Sequence, residues 1–266
     1  MTARERNAGI AVVVVVALGA YWCGQNRIPS QMTVAEARKR SLVTIGASAG
    51  AERNVIDLHV TFSSGAATTI IVPAGTKYGA TGGYQDVMAA ETVQVVFAGS
   101  GGSAQTQNIR QPVYCLDRFR PLPTSGSPFT AAIDDEPTDD LGRLAVCLEK
   151  RRGAVPFDTL QMAVWLIKHD LLGKTRSQAR AVFRQGLRGE GLKKLEAELN
   201  RVSADLRAQG FSDEDVANGI REYRETHLES ALDAVIDSEL GKNWQSARPV
   251  LAGCGVPVDN APFFRS

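Results

Sequence analysis

The sequence has few histidines and few cysteines, and it carries almost no net charge. Its three histidines stand far apart in the chain, which excludes a helical zinc motif built from two neighbouring histidines. Four cysteines among 266 residues are too few for a disulfide-dense scaffold. Thirty Lys and Arg balance twenty-nine Asp and Glu, so no general attraction for nucleic acid is expected. We expect neither a cofactor nor a resident metal.

The most apolar stretch is residues 8–23, which follow two arginines in the pattern of a secretory signal or a signal anchor. The uncharged residues 7–26 are long enough to span a bilayer at about 1.5 Å per residue. Small residues at Ala17 and Gly19 would permit cleavage after position 19, so a cleaved and a membrane-anchored form both remain open. The alternative is a buried N-terminal strand of a cytoplasmic protein. Either exported form places residues 27–266 outside the cytoplasm, where disulfides persist.

The next part of the chain is rich in Val, Ile, Thr, Gly and Ser, which favours β-structure. Residues 27–41 are predicted to be a linker or a short helix. Apolar and polar residues alternate through Val55–Phe62, and this period of two predicts a half-buried strand. Further strands are predicted at Thr68–Val72, 91–97 and 109–116, with a hairpin loop at 99–103. The sequence therefore predicts an α+β fold in which residues 42–173 form an antiparallel β-sandwich with inserted helices.

The C-terminal third has helical periodicity. Within the sandwich domain, helices are predicted over 141–149 and 158–172. Residues 174–243 are predicted to form a helical hairpin, in which a short helix opening at Thr175 is followed by two helices with apolar stripes. The alternative is that these apolar stripes bind a helix of a partner protein instead of packing on each other. The tail, residues 244–266, is predicted to be irregular.

Two polar groups are candidates for metal or acid–base chemistry. Asp57 and His59 point to the same side of one strand, where they would share a proton or a metal ion, although a solvated strand face has the same pattern. The acidic run 134–140 offers oxygen ligands for Ca²⁺ without the spacing of a known calcium loop, so a solvated loop before a helix is favoured. His169 is expected near a helix C-terminus that favours a cation, and His227 in an apolar stripe is expected in the core.

The cysteines give a sharper signal. Cys115 ends a predicted strand and Cys147 lies in a predicted helix, so a disulfide between them is predicted to pin the proline-rich loop 121–140. The chain-entropy estimate gives such a bridge a stabilising effect of about 3–4 kcal/mol. Cys254 is then either free or paired with Cys23.

Two short motifs, Tyr114-Cys115-Leu116 and Leu160-Gln161-Met162-Ala163-Val164-Trp165, occur in an order that resembles the thioester domains of bacterial surface adhesins. The matched residues are Tyr114, Cys115, Gln161, Ala163, Val164 and Trp165. The resemblance covers roughly residues 50–172 and implies a secreted β-sandwich. It also implies an internal thioester between Cys115 and a glutamine of a third, later motif, which a nucleophile on a host surface opens. Leu160 replaces the usual threonine, and the nearest late glutamine, Gln245, lacks the apolar pair that should follow it.

These observations favour an exported or membrane-anchored module of the cell envelope that binds or scaffolds and is not an enzyme. Its expected partner is a protein or a cell surface, with the membrane contacted through residues 8–23 if they are retained. Two alternatives remain: a covalent thioester adhesin, and a metal-dependent hydrolase that uses Asp57 and His59.

Overall fold

The computed structural model describes residues 28–130 and 135–265. The predicted export segment, Cys23 and Asp134 lie outside these ranges. Within them, no helix combines the length and the apolar character needed to cross a membrane.

The larger of two sheets has six antiparallel strands, which are β2 (Val43–Ala49), β3 (Val55–Phe62), β5 (Lys77–Tyr78), β6 (Val87–Ala89), β8 (Gln105–Cys115) and β9 (Pro128–Phe129). Their spatial order is β5-β6-β8-β3-β2-β9. A bridge between Ala80 and Phe129 connects the two ends of this order, so the sheet is nearly closed. The alternation expected in β3 is confirmed, because Leu58 and Val60 are buried and His59 between them is exposed.

The smaller sheet has three strands, β1 (Gln31–Thr33), β4 (Thr68–Val72) and β7 (Val93–Phe97), and β1 runs parallel to β4. The two sheets share one apolar core, in which the rings of Phe62 and Phe97 lie 5.2 Å apart. The loop 99–103 was expected to close a hairpin, and this expectation is wrong. It leads from β7 in the smaller sheet to β8 in the larger one, because those strands pair with different neighbours.

The segment expected to be a linker or short helix belongs to the folded body. Residues 31–33 form β1, and α1 (Val34–Lys39) follows it. A capping box begins this helix, since Thr33 accepts a hydrogen bond from the Glu36 N–H while the Glu36 carboxylate accepts one from the Thr33 N–H. The short-helix alternative is therefore confirmed, and the boundary at residue 42 is too late.

A second apolar core is built from helices. It contains α2 (Asp140–Glu149), α3 (Phe157–Lys168) and α6 (Ala247–Gly253), together with 3-10 turns at Trp244–Ser246 and Pro262–Phe264. The tail was expected to be irregular, and this is a correction: Trp244 and Phe263 are almost fully buried and their rings pack edge to face at 5.9 Å. The burial of these aromatic side chains holds the segment in a defined structure, although its helical elements are too short to give a periodic pattern in the sequence.

Two long helices, α4 (Arg176–Ala208) and α5 (Asp213–Leu240), form the helical hairpin. Thr175 caps α4 through a capping box as expected, but the helix continues unbroken to Ala208 instead of ending early. Helix α4 carries eight Lys and Arg against four acidic residues, and α5 carries nine Asp and Glu against two Arg. Ion pairs between the helices include Arg180–Asp233, Arg184–Asp233 and Arg188–Glu229. The helical core reaches along the hairpin to Leu187 and Leu232.

The disulfide joins Cys147 to Cys254, with 5.7 Å between their Cα atoms. The predicted bridge between Cys115 and Cys147 is wrong. Cys147 lies on α2 beside the C-terminal end of α6, whereas Cys115 is a free, buried thiol at the end of β8. Packing of the C-terminal segment, 107 residues away in sequence, decides the pairing.

Candidate functional site

The two sequence motifs meet at the main chain of Cys115. The Gln161 side chain accepts a hydrogen bond from the Cys115 N–H at 2.9 Å and donates one to the Cys115 carbonyl at 2.8 Å. Trp165, one helical turn further along α3, donates its indole N–H to the same carbonyl at 2.9 Å. Positions four apart share a helix face, so α3 holds this one residue of β8 with three hydrogen bonds.

The end of β3 explains why Cys115 needs these bonds. Pairing of β3 with β8 stops at Pro112, and the Val113 N–H donates to the Asn54 carbonyl just beyond the last pair. Cys115 lies two residues further along β8, where no strand remains on that side. Buried main-chain polar groups must find partners. Gln161, which is only 5% exposed, takes the place of the missing strand.

The Cys115 thiol is buried, with the residue 4% exposed, and it donates to the Asn54 side-chain oxygen at 3.4 Å. Burial raises the pKa of this thiol to about 12, although the positive charges of Arg53 and Arg118 act in the opposite direction. A thiol with this pKa is protonated at neutral pH, and only the thiolate is a strong nucleophile. Asn54 itself has a φ of 60°, in the left-handed region that asparagine tolerates better than most residues.

A cavity of about 210 Å³ lies beside the thiol. Its walls come from the β2–β3 turn, the segment before β6, the chain after β8 and helix α3. Three arginines, Arg53, Arg118 and Arg120, contribute to its lining, together with the exposed carboxylate of Asp158. The lining therefore contains more positive than negative groups.

Gln85 lines the same cavity and is 5% exposed. Its side-chain N–H donates to the Arg120 carbonyl at 3.2 Å, and its backbone N–H donates to the Pro121 carbonyl at 3.1 Å. Its side-chain oxygen is buried and accepts no hydrogen bond from any described residue. The hydrogen bond that the side-chain nitrogen donates fixes the orientation of the amide, and the side-chain oxygen is left without a donor among the described residues.

Arg118 connects the cavity to the base of the helical hairpin. Its guanidinium makes two hydrogen bonds to Glu239 of α5, which is 8% exposed, and lies 5.2 Å from the ring centroid of Trp165. The Arg118 backbone N–H donates to Nε2 of His169 at 3.3 Å. Burial lowers the pKa of His169, and an accepting Nε2 requires the unprotonated form. The expected cationic role of His169 is therefore corrected.

The remaining motif-matched residues are structural neighbours of this site. Tyr114 is fully buried, its ring stacks on Phe157 at 5.3 Å, and its hydroxyl has no hydrogen-bond partner among the described residues. Ala163 and Val164 are buried in the helical core.

The predicted metal and acid–base candidates lie elsewhere. His59 is on the exposed face of the large sheet, and its Nδ1 lies 2.7 Å from the Asn108 side-chain oxygen. Asp57 stands opposite Arg110 in the register of β3 and β8. Residues 28–130 and 135–265 contain no group of three His, Cys, Asp or Glu side chains arranged to hold a metal ion.

The acidic run before α2 forms local ion pairs and a helix cap. Asp135 pairs with Arg38 at 2.7 Å, and Asp139 both caps α2 and pairs with Lys77 at 2.8 Å. His227, expected in the core, is exposed on α5 against the ring of Tyr223. This expectation is wrong because the apolar stripe of α5 is buried only in part.

Sequence reasoning identified Cys115, Gln161 and Trp165 but missed the arginines, Asn54 and Gln85. Asn54 carries a weak signal, since asparagine is favoured in turns with positive φ. The other residues come together only through the fold. No protein-family model, curated protein or solved structure matches this chain.

Proposed function

We propose that this protein is a non-enzymatic binding module of the cell envelope, exported or anchored by its N-terminus, and that the Cys115 cavity is its ligand site. The observation that carries the proposal is a preformed cavity beside a protonated thiol whose main chain is fixed by Gln161 and Trp165. Fixed walls favour binding because little conformational freedom is lost when a ligand enters. A protonated, buried thiol favours binding over nucleophilic catalysis.

Two further observations support the location and the architecture within this proposal. The Cys147–Cys254 disulfide fits an oxidising compartment, where such bonds persist. The three-stranded sheet shares a core with one face of the nearly closed sheet, and we interpret this body as a modified β-sandwich.

Co-sedimentation of the purified full-length protein with isolated cell envelopes tests the proposal. Leu122 is partly buried in the cavity wall, so Leu122→Trp should fill the cavity and reduce the sedimented fraction. Val96→Trp, at a position that is 64% exposed on β7, is the matched control and should leave sedimentation unchanged. Protein that stays in the supernatant, or equal sedimentation of Leu122→Trp and the unchanged chain, would contradict the proposal.

A covalent thioester adhesin is the second candidate, and one observation favours it: Gln85 lines the same cavity as the free Cys115 thiol. Gln245, the nearest match to the third motif, instead donates to the Phe264 carbonyl at 3.3 Å. In this candidate the Cys115 sulfur attacks the Gln85 side-chain carbonyl carbon, the carbon–nitrogen bond breaks, and the thiol proton leaves with the amide nitrogen as ammonia. Gln85 precedes Cys115 in the chain, whereas the family's glutamine follows its cysteine.

Intact-mass spectrometry separates the two candidates. The binding module should show only the loss of two hydrogens that accompanies the Cys147–Cys254 disulfide. A further deficit of one ammonia that methylamine reverses, and that Gln85→Leu abolishes, would establish the covalent candidate instead.

A further inference from the structure

We propose that the Cys115 cavity binds a small carboxylate that also carries an N–H or O–H hydrogen-bond donor. The inference rests on the proposed function, which makes this cavity the ligand site, and adds the chemistry of the ligand. It follows from two features of the lining that act on different parts of one molecule. Among the described residues, one guanidinium has no ion pair and one buried amide oxygen has no donor.

Arg53 supplies the recognition of charge. It lies in the turn between β2 and β3, lines the cavity, and forms no ion pair or hydrogen bond with any described residue. The other two lining arginines are already engaged, Arg118 with Glu239 and Arg120 with Asp117 at 3.1 Å. A guanidinium presents parallel N–H donors that match the two oxygens of a carboxylate. The unpaired Arg53 is therefore the expected anchor.

Gln85 is the reason to expect a hydrogen-bond donor on the ligand. Its side-chain oxygen is buried without a donor among the described residues, and its amide nitrogen is held by the Arg120 carbonyl, so the amide cannot turn over without losing that bond. An unsatisfied buried acceptor costs roughly 1–3 kcal/mol. Because Gln85 lines the cavity, a small shift of this wall on binding would bring a ligand N–H or O–H to the oxygen and remove the cost, whereas a carboxylate without a donor would not.

The remaining lining restricts the size and polarity of the ligand. The cavity volume of about 210 Å³ suits a small ligand such as one amino-acid or sugar-acid unit. The Cys115 thiol already donates to Asn54, so it offers the ligand a small neutral surface. The carboxylate of Asp158 also lines the cavity, which disfavours a ligand with several negative charges.

Calorimetric titration of the purified protein at low salt tests the inference with four probes. N-acetylalanine combines a carboxylate with an amide N–H, and glucuronate combines one with hydroxyls. Propionate has the charge without the donor, and glucose has the donors without the charge. We expect one or both of the first two probes to bind at least tenfold more tightly than propionate, and glucose not to bind. Tighter binding of N-acetylalanine would identify the ligand as a peptide C-terminus, and tighter binding of glucuronate would identify it as a sugar acid.

Variants assign the two contacts. Arg53→Met should weaken binding of the preferred probe at least tenfold. Arg40→Met alters another exposed arginine that forms no ion pair with a described residue, and it should not change binding. Gln85→Leu should reduce the affinity for the preferred probe to that for propionate. Because Gln85 is buried, the Gln85→Leu result counts only if the melting temperature of this variant is unchanged. If Gln85→Leu unfolds, Arg53→Met still decides the test, because Arg53 lies in an exposed turn.

The outcomes distinguish this inference from the proposed function. If glucose binds and the carboxylates do not, or if Arg53→Met binds like the unchanged chain, the inference is overturned and the cavity remains a ligand site. If no probe binds but envelope sedimentation still depends on Leu122, only the ligand chemistry is wrong. If sedimentation is also absent, the proposed function fails with it.

Discussion

Gln161 binds both main-chain polar groups of Cys115, at 2.9 Å through its oxygen and at 2.8 Å through its nitrogen. A side chain on a helix thus makes the main-chain hydrogen bonds that a neighbouring strand would make at the end of β8. The position of the thiol, and with it one wall of the cavity, depends on this pair.

Gln161→Leu removes both hydrogen bonds and leaves two buried polar groups without these partners. We expect the free energy of unfolding to fall by about 2–4 kcal/mol, measured by urea denaturation. Gln94→Leu on the exposed face of β7 is the control and should change stability by less than about 0.5 kcal/mol. Equal effects of the two substitutions would show that the pair does not support the fold.

Glu239→Gln leaves the Arg118 guanidinium partly buried without its countercharge. Because the side chains of Arg118 and Glu239 are 26% and 10% exposed, we expect a loss of about 2–4 kcal/mol, below the full cost of a wholly buried pair. Glu198→Gln breaks the exposed pair with Arg201 and should lower the free energy of unfolding much less, because water screens an exposed pair. Urea denaturation of both variants at the same pH compares them, and a costlier Glu198→Gln would contradict this account.

The Cys115 thiol should make stability depend on pH in the alkaline range. Its pKa is about 12 in the folded chain and about 8.5 when unfolded, so between these values the folded state holds a proton that the unfolded state has lost. Stability from this group is complete below about pH 8.5 and falls at up to about 1.4 kcal/mol per pH unit above it. Urea midpoints between pH 7 and 9.5 measure the slope.

Cys115→Ala provides the control for this slope. Burial also raises the pKa of Tyr78 and Tyr114, and both tyrosines ordinarily titrate near pH 10, so they contribute little below pH 9.5. The variant should therefore show a flatter pH dependence than the unchanged chain. An identical slope in the two proteins would mean that the thiol does not cause it.

Breaking the disulfide should destabilise the protein strongly. Cys147 and Cys254 close a loop of more than 100 residues, for which the chain-entropy estimate is about 4–5 kcal/mol. Cys254→Ser should therefore lower the unfolding free energy in non-reducing buffer, and reductant should have little further effect on it. If reductant destabilises Cys254→Ser as much as the unchanged chain, the pairing is different.

Local patterns in the sequence predicted local structure well. The alternation in β3 and the cap at Thr175 are read from a few neighbouring residues, and both are confirmed. The predicted disulfide is wrong because the sequence offers Cys147 three other cysteines, and only the packing of the C-terminal segment brings Cys254 to it. Nothing near Ala80 in the sequence indicates that it bridges β9 and nearly closes the sheet.

The candidate site was predictable in part. Gln161 and Trp165 stand four residues apart, so a shared helix face was evident from spacing, and Cys115 was singled out by its motif. Their contact with the Cys115 main chain depends on where β3 ends, and Arg53 and Gln85 reach the cavity from separate loops. Contacts between distant segments leave no periodic signal in one sequence.

The helical hairpin is also a mechanical element. The helical core extends along α4 as far as Leu187. The helix continues from there to Ala208, a rise of roughly 30 Å. Glu239 stands at the opposite, anchored end of α5 and holds Arg118 in the cavity wall. Helix α5 therefore connects the turn at 209–212 to the cavity wall through the ion pair between Glu239 and Arg118.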